Sequence, residues 1–262
     1  MAALANQPHA WRLEGVAIED LVLGVDLGTA ALKVVILDSA GRPLAARLMP
    51  GEVVRDGVIF DYAGAVLALR GLLRSLRPDL VDSGALAATA FPPGTGDSVA
   101  SAARHVLEAC GLRIQEVVEE PVAAARALAL DSGAIADIGG GTTGIAVLQD
   151  GKVVYAGDEA TGGLHLTLVL SGRHNISFEA AEELKRRGGA EVLRVVEPVL
   201  EKIADIISRQ LADFPRAPLL LVGGTAALEG AAEIIAAASG RQVSVSPQPQ
   251  WPTPLGTALA AL

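Results

Sequence analysis

The chain is poor in several things, and each scarcity excludes a class of protein. Among 262 residues there is a single cysteine, Cys110. No intrachain disulfide can form, which fits a reducing cytoplasm. Cys110 closes the helical stretch "VLEACGL" with no His or Cys beside it, so it reads as a small buried residue and not as a reactive thiol. Aromatic residues make up 3% of the chain, so the cores must be built from Ala, Val, Leu and Ile. Positive charge is also short: the formal net charge is −9, against the basic face that a nucleic-acid backbone requires. The longest uncharged run, residues 242–262, contains Pro247, Pro249, Pro252 and Pro254 and does not read as a membrane span. The first twenty residues lack a basic segment followed by an apolar block, so they are expected to be a loose tail and not a leader.

What is abundant is glycine, placed with a pattern. "LVLGVDLGTAALKVVILD" (21–38) reads as strand, tight turn, strand, and "LAARLM" as a third strand. "VVRDGVIFD" (53–61) predicts a short hairpin around Asp56–Gly57. Helical spacing covers 62–76, 98–110 and 121–130, with strands at 85–91 and 112–120 between them. The pattern then restarts. "GAIADIGGGTTGIAVLQDGKVVYAG" (133–157) is again three strands and two turns. Residues 162–212 are mainly helical, then come a strand at 218–224, a helix over "TAALEGAAEIIAAAS", a strand "QVSVS" and a last helix "PLGTALAAL".

The two openings match element by element, each with an Asp at a strand end and glycines in the turn. This is a weak internal repeat that predicts two similar lobes. The expected organisation is a flexible tail (1–20), lobe I (21–132), lobe II (133–250) and a C-terminal helix (251–262) returning to lobe I. A site between the lobes would see both hairpins.

A turn without Cβ atoms lets backbone N–H groups approach a charged oxygen, and threonine hydroxyls add donors. The aspartates before each turn would repel a phosphate by roughly 4 kcal/mol at ~4 Å and an effective dielectric of ~20. A divalent cation reverses that sign. Mg²⁺ takes one or two carboxylates plus phosphate oxygens and keeps its other waters. Two Asp–Gly turns therefore predict a metal–polyphosphate site, with plain hairpin geometry as the alternative for each turn alone. Neither turn is a P-loop, and a strand instead of a dinucleotide-binding helix follows each.

Five stretches, in order, resemble the motifs of the actin-like ATPase superfamily, which includes actin, the bacterial actins and the DnaK-type chaperones: "GVDLGT" (24–29), "EEPVAAARALAL" (119–130), "DIGGGTTGIAVL" (137–148), "LLLVGGTAAL" (219–228) and "PLGTALAAL" (254–262). "ATAFPPGTGD" (88–97) and "GDEATGG" (157–163) echo the DnaK type. Within the superfamily, "VVRDGVIFDYAGAV", "TGGLHLTLVLSG", "ISFEAAEELKR" and "TPLGTAL" resemble the ethanolamine utilization protein EutJ family. The resemblance implies an α/β fold of two ribonuclease-H-like lobes, each a mixed five-stranded sheet with helices, around a nucleotide cleft. It implies ATP and Mg²⁺ as cofactors and a cytoplasmic, microcompartment-associated setting. It also implies a protein client, either an enzyme of ethanolamine catabolism or a microcompartment component.

Roles follow residue by residue. Asp26, Gly28 and Thr29 would hold hydrated Mg²⁺ and the terminal phosphates, with Asp137 as the second metal-side carboxylate. Gly139, Gly140, Gly141 and Thr142 would line the phosphates, joined by Gly162 of the chaperone-like echo. Glu120 would orient the attacking water from a strand end. Glu182 and Lys185, three apart on one helical face, would grip the nucleoside. Gly223, Gly224 and Thr225 would let adenosine lie against bare backbone. Three departures bear on turnover: Ala30 stands where DnaK-type chaperones carry a second Thr, Gly144 stands where they carry an Asp, and their catalytic lysine has no assignable counterpart. Hydrolysis rests on positioning and electrostatics, so slow or absent turnover is expected. Two functions stay open: a chaperone-like ATP-driven switch, which would be a weak Mg-dependent ATPase, and an actin-like scaffold or filament-associated protein with little hydrolysis.

Overall fold

The computed structural model describes residues 13–51, 53–55 and 57–262. The turn residue Asp56 and residues 1–12 of the expected tail lie outside the described residues. The chain divides into two compact units, one of residues up to Ala129 together with Trp251–Leu262, the other Leu130–Gln250.

The first unit opens with β1 (Leu21–Leu27), β2 (Ala31–Asp38) and β3 (Pro43–Pro50), an antiparallel meander. The short pair β4 (Val54–Arg55) and β5 (Val58–Ile59) follows. Then come α1 (Tyr62–Leu76), β6 (Leu86–Phe91), α2 (Asp97–Ala109), β7 (Arg113–Glu119) and α3 (Glu120–Ala127). β6 and β7 add in parallel, giving the order β3-β2-β1-β6-β7. The second unit repeats this plan with β8 (Gly133–Ile138), β9 (Thr143–Gln149), β10 (Lys152–Glu159), β11 (Leu219–Val222) and β12 (Val243–Val245). Its order is β10-β9-β8-β11-β12, with the same antiparallel and parallel senses. The internal repeat is thus a repeat of whole sheets. Between β10 and β11 lie α4 (Gly163–His174), α5 (Phe178–Arg187) and α6 (Ala190–Gln210), and α7 (Ala231–Ser239) precedes β12. Helix α8 (Pro252–Ala260) ends the chain.

Strand alternation sorts the first sheet into two faces. Leu21, Leu23 and Val25 pack with Leu69, Leu73 and Leu107 of α1 and α2. Val22, Val35 and Ala88 pack with Ala123 of α3 and Leu255 and Ala258 of α8. This second face is tight enough to demand glycine. A Cβ on Gly24 would strike the α8 backbone at Pro254 and Ala258, and one on Gly256 would strike the Ala123 carbonyl. In the second unit Ile138, Ile145 and Val147 pack against Leu166 and Leu170 of α4 and Val196, Leu200 and Ile203 of α6.

Two local readings change. Residues 13–20 are packed and not loose: Leu13 is buried, and Arg77 Nη1 donates to the carbonyls of Leu13 and Val16 at 2.8 and 2.7 Å. The helix expected over 225–239 is two elements. A short 3₁₀ turn covers Thr225–Ala227, and α7 begins only after Gly230, whose φ is +87°. A left-handed residue ends one helical run and starts another. The sequence hid the break because its alanines suit either reading.

Candidate functional site

In the first unit the turn between β1 and β2 carries Gly28, Thr29 and Ala30. Asp26, 4% exposed, stands just before it on β1. The hairpin register pairs Asp26 with Lys33, and their side chains meet, Lys33 Nζ donating to Asp26 Oδ2 at 2.7 Å. Sequence reasoning passed over Lys33. The register follows from the turn: Leu27 pairs with Leu32 across the four residues 28–31, which sets Asp26 opposite Lys33 on one face. A cation therefore already stands beside the first carboxylate. Glu120 does not sit at the strand end. β7 finishes at Glu119, and Glu120 is the first residue of α3, where a negative charge suits the helix dipole. Glu119 is half-buried, and burial pushes its carboxyl above the ordinary range.

In the second unit the loop Gly139–Thr142 joins β8 to β9. Gly139, Gly140 and Gly141 are absent from the residues with positive φ, so turn handedness does not require them to be glycine. The loop carbonyls face the start of α4: Gly163 N donates to Gly139 O at 2.9 Å and Leu164 N to Gly140 O at 2.8 Å. Thr225 Oγ1 donates to Gly139 O at 2.8 Å. A Cβ on Gly162 would sit 2.8 Å from Gly139 O and 2.7 Å from Gly140 O. Because the peptide bonds are trans, each carbonyl turned toward α4 turns the following N–H away from it. The N–H groups of Gly140 and Gly141 consequently both face away from the start of α4.

Asp137, 7% exposed, is the second-last residue of β8, separated from this loop by Ile138. Gly223, at φ +91°, packs against the end of β8: a Cβ there would strike the Ile138 carbonyl and also lie 2.5 Å from Asp137 Oδ1. A Cβ on Gly224 would meet open space. Along one line across the sheet, Asp137 pairs with Gly144, and Gly144 pairs with Asp158 of β10. Residues in one such row point to one face. Asp158 Oδ1 is buried and has no hydrogen-bond partner. Burial pushes the Asp158 carboxyl up to about 6, the Thr142 hydroxyl opposes the rise, and the charges of Asp137 and Glu159 add to it. Sequence reasoning saw Gly144 as a lost carboxylate and missed that its cross-strand neighbour supplies one.

An orphaned carboxylate oxygen, the Asp137 carboxylate and the Thr142 hydroxyl are hard oxygen groups, the donor chemistry that suits Mg²⁺ held through water. Without a cation the Asp158 charge costs stability. Its folded pKa lies above the unfolded 3.8, so stability is full below about 4 and falls as pH rises through about 6. A rise from 3.8 to about 6 corresponds to about 3 kcal/mol at neutral pH. Asp158→Asn should therefore stabilise the metal-free protein by up to about 3 kcal/mol at pH 7.5. In urea melts at several pH values that gain should shrink toward zero near pH 4.

Glu182 and Lys185 lie on α5, turned inward. Lys185 Nζ meets Glu182 Oε2 at 2.7 Å, Thr167 Oγ1 at 2.8 Å and the Gly163 carbonyl at 2.9 Å. Glu182 Oε2 also accepts from Thr167 Oγ1 at 2.6 Å. Burial would raise the Glu182 carboxyl, but the hydrogen bonds from Lys185 and Thr167 and the charges of Lys185 and Arg186 outweigh it and hold the carboxyl below its usual range. Burial pulls Lys185 below its ordinary value, and Glu182 opposes that pull. Asp137, Thr142, Gly162, Gly163 and Thr225 thus gather around one loop, and Lys185 reaches it through Gly163. Gly224 stands apart from these contacts. Among the described residues no helix is long and apolar enough to cross a membrane.

The chain is 44% identical over 234 residues to the ethanolamine utilization protein EutJ of Escherichia coli, covering 89% of this chain and 81% of that one. The crystal structure of EutJ from Carboxydothermus hydrogenoformans superposes with a TM-score of 0.82 at 44% identity, over 91% of this chain and 89% of that one. The chain belongs to the EutJ family. Residues 98–249 also match the family model of the type IV pilus assembly protein PilM. MreB5 of Spiroplasma citri, solved with ADP, superposes with a TM-score of 0.74 at 19% identity, over 93% of this chain and 96% of that one. That likeness is one of fold, and the fold is that of the actin-like ATPases. The chain thus carries two ribonuclease-H-like lobes with mixed five-stranded sheets.

Proposed function

We propose that the chain is a magnesium-dependent adenine-nucleotide switch of ethanolamine utilization, acting in the cytoplasm on a protein client. The client is a catabolic enzyme or a microcompartment component. The reading rests most on Gly139–Gly141, glycines that no left-handed φ demands, of which Gly140 and Gly141 turn their amides away from α4 beside a buried Asp. Gly28, Thr29 and Lys33 of the first hairpin, and Gly139–Thr142 of the second, bind the phosphates. Asp26 and Asp137 orient hydrated Mg²⁺, which when bound neutralises phosphate charge. Glu120 orients water for a slow hydrolysis, and the backbone around Gly224 and Thr225 receives adenosine. Family membership supports the pathway. The ADP of MreB5 supports the nucleotide, through fold alone.

Shifting a lobe equilibrium from 1:99 to 99:1 needs about 5.5 kcal/mol of preference for one state, a scale that phosphate contacts from two hairpins can reach. The test is phosphate release from ATP by wild type, Asp26→Asn and Asp137→Asn, with Mg²⁺ and with EDTA. A slow Mg²⁺-dependent rate that falls at least about tenfold, roughly 1.4 kcal/mol, in both variants is expected. Equal rates in all three proteins would remove the assignment.

A further inference from the structure

Taking the nucleotide reading as given, we propose that Thr167, Glu182 and Lys185 form a positioning lock for the phosphate loop, and that Lys185 is not a nucleoside ligand. An ammonium group has three donors. Those of Lys185 have three acceptors: Glu182 Oε2, Thr167 Oγ1 and the Gly163 carbonyl. The side chain is 14% exposed. The peptide that Lys185 holds belongs to the segment that holds the loop. Gly163 and Leu164 donate to the carbonyls of Gly139 and Gly140, and Thr225 donates to Gly139 as well. A Cβ on Gly163 would crowd Thr225 Oγ1 and come 3.4 Å from both Gly139 O and Lys185 Nζ, which shows how closely the four groups converge. Helix α5, the first turn of α4, the glycine loop and the turn after β11 therefore form one connected network. Its effect is to fix the direction of the loop's N–H groups, and with it the affinity for phosphate and not for base or sugar.

Thr167 makes the proposal testable. It is fully buried, so a bound nucleotide cannot touch it, yet its hydroxyl bonds both Lys185 and Glu182. Displacement of a fluorescent ADP analogue by ADP and by adenosine would be measured for wild type, Thr167→Val and Thr167→Ser. The lock predicts that Thr167→Val weakens ADP at least about tenfold, leaves adenosine within about twofold, and is rescued by Thr167→Ser. Should Thr167→Val fail to fold, Lys185→Met carries the same expectation. A parallel loss of adenosine and ADP would make Lys185 a nucleoside ligand and overturn the proposal, as would no loss of either. Failure of the wild type to bind the analogue would instead sink the nucleotide reading itself.

Discussion

Gly256→Ala should lower the stability of the first unit by about 3 kcal/mol or more, at the upper end of what overpacking costs. The added methyl would be driven into the Ala123 backbone carbonyl where α8 crosses α3, and backbone cannot swing aside as a flexible side chain can. Gly24 makes the matching approach on β1 beneath the same helix. At roughly 2–4 °C per kcal/mol for a protein of this size, the midpoint should drop by about 6–12 °C. Trp251, at the start of α8, is 9% exposed and packs in that core. The chain has two tryptophans, so a Trp11→Phe background leaves Trp251 as the fluorescent reporter. Its emission should shift to the red at the lower temperature. An unchanged midpoint would mean that α8 is not docked in this way.

Gly162→Ala should weaken Mg²⁺–ATP binding at least about 100-fold, some 2.7 kcal/mol, while changing the melting midpoint much less. Gly162 has an extended φ of −156°, which any residue adopts, so backbone strain is not the reason. The reason is that the methyl would press on two loop carbonyls. Relief requires the loop to move off α4, which breaks the bonds from Gly163 and Leu164 and turns the Gly140 and Gly141 amides out of alignment. Gly172→Ala, lower on the same helix, is the control. Its Cβ meets nothing within 4 Å, and alanine should add about 0.5–1 kcal/mol of stability with binding unchanged. Calorimetric titration of both variants checks the pair. Equal affinities for Gly162→Ala and wild type would separate α4 from the phosphate loop.

Much of this was legible in the order of residues. Asp26 and Asp137 stand at strand ends because an apolar run, a glycine turn and a returning apolar run are local signals, and they recur in both halves. What escaped depends on partners distant in the chain or on exact register. Lys33 and Asp158 become site residues only when strand pairing is counted out residue by residue. Gly24, Gly223 and Gly256 look like ordinary glycines until the helix, carboxylate or carbonyl that occupies the space of a Cβ is known. Glu182 and Lys185 were correctly placed on one helix face, but spacing could not say that the face turns inward onto Thr167 and Gly163. Residues 13–20 carry no periodicity, and their order comes from Leu13, Val16 and Ile18 packing on the first core and from one distant arginine.

The proposed function requires that the glycine-turn hairpins hold the phosphates of a magnesium-bound nucleotide. Isothermal titration of ATP into wild type, Asp26→Asn and Asp137→Asn, with Mg²⁺ and after chelation, tests this most directly. One nucleotide per wild-type chain is predicted, with affinity that falls at least about tenfold on chelation and in each variant, about 1.4 kcal/mol. Binding that ignores the metal and both substitutions, or no binding at all by the folded wild type, would contradict it.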